Sequence, residues 1–99
     1  MDETLEQAFR YILTQYGAKG YGYWVELVGK DAIVHPHPSN PDVEIEVDAT
    51  WDRVKAGGPI RVFVSIYDKL PRRFKVAVPT ASFIVFDDGS IRSFEPNRS

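Results

Sequence analysis

Cysteine is absent from this 99-residue chain. Disulfides, thiolate nucleophiles and cysteine-based zinc sites are excluded with it. No apolar run approaches the ~20 residues needed to span a bilayer, so no membrane partner is expected. Histidine occurs only at His35 and His37. There is also no Gly-x-Ser-x-Gly elbow, so no Ser–His–Asp set is indicated, and neither a catalytic residue nor a cofactor is expected. An excess of positive charge is missing too. The formal charge of −2 sets the chain apart from strongly cationic nucleic-acid binders, and nucleic acid is not the expected partner. The start, Met1-Asp2-Glu3-Thr4, is acidic where a signal peptide is basic, so cytoplasmic residence is expected.

What is present suits one globular domain spanning 1–99, with 43% hydrophobic and 26% charged residues. Six Phe, five Tyr and two Trp can supply much of a modest core, since each aromatic side chain buries about 150–250 Å². The small net charge hides an asymmetry. Residues 1–49 carry three Lys/Arg against nine Asp/Glu, a net −6, whereas residues 50–99 carry nine against five, a net +4. Either the halves neutralise each other in the fold, or two poles remain that can steer a charged partner.

Leu5, Ala8, Phe9, Ile12, Leu13 and Tyr16 follow the i, i+3, i+4, i+7 spacing of an amphipathic helix over about 4–17. Asp2 or Thr4 can cap it, and Gly17 suits its end. Beyond Gly20 the pattern predicts strands. Residues 22–28 and 32–35 flank Gly29-Lys30-Asp31 as a hairpin would. The stretch 35–41 reads as a loop, with three prolines in seven residues. Strands are then expected at 42–48, 60–67, 73–78, 82–86 and 91–94. Between the third and fourth lines of this pattern, Trp51–Pro59 reads as a second loop, and Asp88-Gly89 suits a type I′ hairpin turn. One helix packed on a mainly antiparallel sheet of about five to six strands is an α+β fold.

Residues 42–48 read Asp-Val-Glu-Ile-Glu-Val-Asp. Side chains alternate along a strand, so Val43, Ile45 and Val47 are expected in the core. Asp42, Glu44, Glu46 and Asp48 then line the opposite face, successive ones about 7 Å apart. Three readings follow. The row can dock a basic protein, or hold a divalent cation through hard oxygen ligands. It can also pair internally with Arg61, Arg73 and Lys75 on neighbouring strands, each exposed pair contributing roughly 0–1 kcal/mol.

His35-Pro36-His37 has a spacing that can present two imidazoles to zinc or copper, which makes His35 and His37 the weak metal candidates. The flanking prolines argue for a solvated loop instead. Gly17-Ala18-Lys19-Gly20-Tyr21-Gly22 superficially suggests a phosphate loop. It is read as leaving a helix and entering a strand, the opposite polarity to a phosphate site. Tyr21, Tyr23, Trp24, Trp51, Phe63 and Tyr67 can form a stacking platform or a core. Phe63 and Tyr67 share a strand face with Arg61, a composition suited to partner contact. Lys69, Arg72, Arg73 and Lys75 form a basic cluster around Phe74.

Trp51-Asp52, Gly57-Gly58, Arg61-Val62-Phe63-Val64-Ser65, Ser82-Phe83-Ile84-Val85 and Asp88-Gly89-Ser90 resemble small bacterial α+β domains catalogued as of unknown function. The likeness covers about half the chain. The acidic, single-domain, cysteine-free character is loosely similar to toxin-immunity proteins. The resemblance implies protein binding and carries over no catalytic residue. The leading expectation is therefore a non-enzymatic protein–protein interaction domain, immunity or regulatory, with a basic partner and a capacity for homodimerisation. Its partner face is expected at Asp42, Glu44, Glu46, Asp48, Arg61, Phe63 and Tyr67. The alternative is a small-ligand domain using a helix–sheet cavity lined by Phe9, Tyr16, Trp24 and Trp51. A third reading is a metal-dependent enzyme at the His35/His37 loop.

Overall fold

Leu5, Ala8, Phe9 and Ile12 recur on one helical face, and they form the buried stripe of α1 (Glu3–Tyr16). The computed structural model describes residues 3–53, 57–68 and 80–94. Helix α1 is followed by a 3-10 turn (Gly17–Lys19) and a second helix, α2 (Tyr21–Leu27). Five strands follow among the described residues: β1 (Ile33–Pro36), β2 (Val43–Trp51), β3 (Ile60–Asp68), β4 (Thr80–Val85) and β5 (Ile91–Phe94). They form one antiparallel sheet in the order β1-β2-β3-β4-β5. Helix α1 packs on β3 and β4, and α2 on β2. This is the α+β architecture that the sequence leads one to expect. Among the described residues, no helix is long and apolar enough to cross a membrane.

The segment read as a strand over 22–28 is a helix. Aromatic and β-branched residues favour strands, but Tyr21, Trp24, Val25 and Val28 also stand at i, i+3, i+4 and i+7. Burial decides between the two patterns. Trp24 is fully buried, edge-on to Phe83 with centroids 5.7 Å apart and to Tyr23 at 5.1 Å. Tyr21 donates from its hydroxyl to the Gly58 carbonyl at 2.8 Å, tying α2 to the β2–β3 connection. Gly29-Lys30-Asp31 therefore ends a helix instead of turning a hairpin. Lys30 N–H donates to the Leu27 carbonyl at 3.0 Å, and Gly29 supplies the positive φ of 82°.

Other boundaries move less. The strand expected over 32–35 is β1, and it takes in Pro36 from the expected loop, because an edge strand tolerates a proline that has no ladder bond to donate. The acidic strand runs on to Trp51, and the fourth described strand begins at Thr80. The turn after β4 is a three-residue loop, not the expected type I′ pair. Gly89 N–H donates to the Phe86 carbonyl at 2.8 Å and Phe86 N–H to the Ser90 carbonyl at 2.9 Å. Asp88 accepts from the hydroxyl and the N–H of Ser90, bonds that lower its carboxyl pKa. The expected strand over 73–78 and the basic cluster Lys69, Arg72, Arg73 and Lys75 lie outside the described residues.

The core fills the space between helices and sheet. Val43, Ile45, Val47 and Ala49 of β2 face it beside Ile60, Val62, Val64 and Ile66 of β3 and Ala81, Phe83 and Val85 of β4. Phe9 of α1 meets Phe83 edge-on at 6.0 Å. Ile45, directly opposite Ile66, is wholly buried. Ile45→Asp should abolish cooperative thermal unfolding, because a buried unpaired charge costs several kcal/mol against a total stability of about 5–15. A cooperative melt close to that of the wild type would show that this register is wrong.

Candidate functional site

The residues alternating with the β2 core set project from the sheet face that the helices leave uncovered. These are Glu44, Glu46 and Asp48. Asp42 was expected to begin the row but lies before the strand, in a turn where its N–H donates to Asn40 Oδ1 at 3.0 Å. Register fixes the neighbours on β3. Tyr67 stands opposite Glu44, Ser65 opposite Glu46 and Phe63 opposite Asp48. One transverse row reads Val34, Glu46, Ser65, Thr80 from β1 to β4. The Ser65 and Thr80 hydroxyls hydrogen-bond to each other at 2.9 Å. Val34 is 55% exposed, a large aliphatic side chain at the rim of the face. Glu44, Glu46, Phe63 and Tyr67 are half-buried and Asp48 is exposed.

Arg61 does share this face with Phe63 and Tyr67, as alternation required, but it does not neutralise the acidic row. It stands opposite Thr50. Its Nε donates to Asp52 Oδ1 at 2.8 Å and its Nη1 to Ser82 Oγ at 3.0 Å. Asp52 follows β2, beyond the alternating row, so sequence pattern alone could not nominate it. No ion pair reaches Glu44, Glu46 or Asp48 among the described residues. The other two expected counter-ions, Arg73 and Lys75, lie outside that set.

The two histidines sit on the helix side of β1. His37 is 5% exposed, and both its ring nitrogens are engaged. A carbonyl only accepts and a backbone N–H only donates, so the Thr4 carbonyl (2.9 Å) requires a proton on Nε2, and the Ser39 N–H (3.1 Å) requires a lone pair on Nδ1. His37 is thus a neutral tie between the β1–β2 loop and the start of α1. The reading of 35–41 as a solvated loop missed this, and no local pattern announces it. His35 Nε2 shares a hydrogen bond with the Tyr16 hydroxyl, and its ring lies against Tyr11 and Tyr16. Among the described residues, no three His, Asp or Glu side chains are grouped to hold an ion.

The expected aromatic platform divides between the two faces. Tyr21, Tyr23 and Trp24 belong to α2, and Trp51 stands opposite Ile60 on the helix side. Phe63 and Tyr67 alone face the other way. Three of the four residues assigned to a ligand cavity do meet, Phe9 and Trp24 through Phe83 and Tyr16 against Trp24, but ring against ring; Trp51 packs at the core margin. The Gly17–Gly22 stretch enters a helix, not the strand expected, yet it still follows a helix. Lys19 lies over the Tyr16 and Tyr23 rings, with Nζ 6.0 and 5.6 Å from their centroids.

Comparison with protein-family models, with curated proteins and with solved structures returns no match.

Two outcomes follow from the histidine and tyrosine environments. Micromolar zinc should leave the melting temperature unchanged, since an ion stabilises only by binding the native state and the His37 nitrogens are already bonded. Saturable stabilisation by zinc, lost in His37→Ala, would overturn this. Burial, then the charges of Tyr23 and Tyr11 when ionised, raises the Tyr16 pKa above its ordinary value of 10.0. The folded state therefore favours the neutral hydroxyl. That contribution is complete below the unfolded pKa and is lost as pH rises through the folded one. Ultraviolet difference titration should show one late-ionising tyrosine that disappears in Tyr16→Phe.

Proposed function

We propose that this domain is a non-enzymatic, cytoplasmic bacterial protein of the immunity or regulatory kind, and that it works by docking a basic protein surface on the helix-free face of its sheet. The observation that carries the reading is the register. Glu44, Glu46 and Asp48 stand beside Tyr67, Ser65 and Phe63 with exposed Val34 at the rim, and none of the three carboxylates has an ion-pair partner among the described residues. Uncompensated charge steers a partner of opposite sign, and half-buried aromatics beside it supply contact area once water leaves. Of the arginines on this face, Arg61 is matched by Asp52, and Arg92 stands on β5, three strands away from the row on β2.

The test pairs binding with stability. A partner recovered from the source organism is purified and titrated against the wild type and against Glu44→Lys combined with Glu46→Lys. Glu44 and Glu46 are half-buried but lose no ion pair among the described residues, and a lysine stem can lie along the face with its charge in water, whereas reversed charge across an interface costs several kcal/mol. The double variant should therefore melt near the wild-type temperature and lose binding. Wild-type affinity should fall as salt shortens the Debye length from about 8 Å at 0.15 M to about 3 Å at 1 M. A large drop in melting temperature with binding retained overturns the proposal, because it places the counter-ions inside the fold.

A further inference from the structure

Charge alone would accept any cation, but the docking face has a shape as well. Phe63, Ser65 and Tyr67 are successive residues on this face of β3. The smallest of the three lies between two rings about 13 Å apart along the strand, at roughly 3.4 Å per residue. Glu46 stands directly across from Ser65, its Cβ about 5 Å away. Glu44 and Asp48 flank Glu46 beside the two rings, and Thr80 lies on the other side of Ser65, hydroxyl to hydroxyl. Register and side-chain size together imply a shallow notch bounded by a ring at each end along β3, a carboxylate on the β2 side and a hydroxyl on the β4 side.

We infer that this notch is built for an arginine side chain of the docked partner, with Glu46 as its counter-ion and the Phe63 or Tyr67 ring as its stacking surface. This rests on the docking proposal above and adds its specificity. A guanidinium is planar, fits a carboxylate with two parallel N–H donors, and stacks on a ring while its edge stays bonded. An ammonium is a compact, strongly hydrated charge that gains less from a flat wall. The wall spacing is too wide to sandwich one guanidinium between both rings. It leaves room for a head group on one ring and its aliphatic stem, or a second side chain, toward the other.

The experiment titrates hexa-arginine and hexa-lysine peptides, equal in charge, into isotopically labelled full chain at 0.15 M salt, with amide shifts as the readout. Hexa-arginine should bind about two- to fivefold tighter, the margin of a solvent-exposed cation–π contact, and its shifts should centre on Glu46, Ser65 and Thr80. Ser65→Ile fills the notch with a strand-compatible residue and leaves every carboxylate in place. It should erase the preference while hexa-lysine binding stays as it was. Glu46→Gln removes the counter-ion without changing the shape and should weaken hexa-arginine more than hexa-lysine, a second readout that does not depend on Ser65→Ile folding.

Equal binding of both peptides, unaffected by Ser65→Ile but lost in the Glu44→Lys, Glu46→Lys double variant, overturns the notch and leaves the acidic docking face standing. Absence of shifts on this face with either peptide overturns both.

Discussion

The pairing of β2 with β3 is the constraint on which the rest of this molecule depends. Ile45 opposite Ile66 and Val47 opposite Val64 set every side chain of the two central strands to one face or the other. A slip of one residue would turn Glu44, Glu46 and Asp48 into the helix layer and lift four aliphatic residues into water. The charges thus enforce the same register as the core, because their burial is as unfavourable as the exposure of the apolar set. Core formation and the assembly of the acidic face are one event.

How far the sequence could be read follows from which interactions are local. Alternation over 43–48 and 60–66 located both central strands and their buried residues, since a period of two needs no knowledge of the neighbours. Helix α2 was misread because Tyr21 to Val28 satisfies two periodicities at once, and only packing against Phe83 breaks the tie in favour of the helix. The Arg61–Asp52 bond and the His37 ties were beyond local reading. They join residues nine and thirty-three positions apart, and strand register with loop closure decides both. The composition of the helix-free face was legible; the pairing of Arg61 was not.

Polar groups divide in the same way between structural and unengaged roles. His37 spends both nitrogens on the backbone, and Arg61 bridges Asp52 and Ser82. His37 joins the β1–β2 loop to α1, which the sheet ladder does not hold, and Arg61 reinforces the β3–β4 pairing and the end of β2. Trp24 is the exception inside the core, since its buried indole N–H has no acceptor among the described residues. An unmade buried hydrogen bond costs about 1–3 kcal/mol, a cost of the same size as the gain from its contacts with Phe83, Tyr16 and Tyr23 at about 0.5–1.5 kcal/mol for each aromatic pair. Trp24 is therefore held in the cluster by packing, whereas Tyr16 beside it also hydrogen-bonds to His35.

The strand order has a consequence for how the chain reaches this state. Each described strand neighbours the next described one, so the sheet can grow strand by strand with little loop-closure entropy at any step. Helix α1 is different. Its apolar stripe rests on β3 and β4, with Phe9 against Phe83, so α1 must wait for strands made well after it. At about 5–20 residues per second, the ribosome leaves that stripe without its native cover for several seconds. During this interval Leu5, Phe9 and Ile12 are a sticky surface on a nascent chain, and chaperone capture or misassociation competes with folding there.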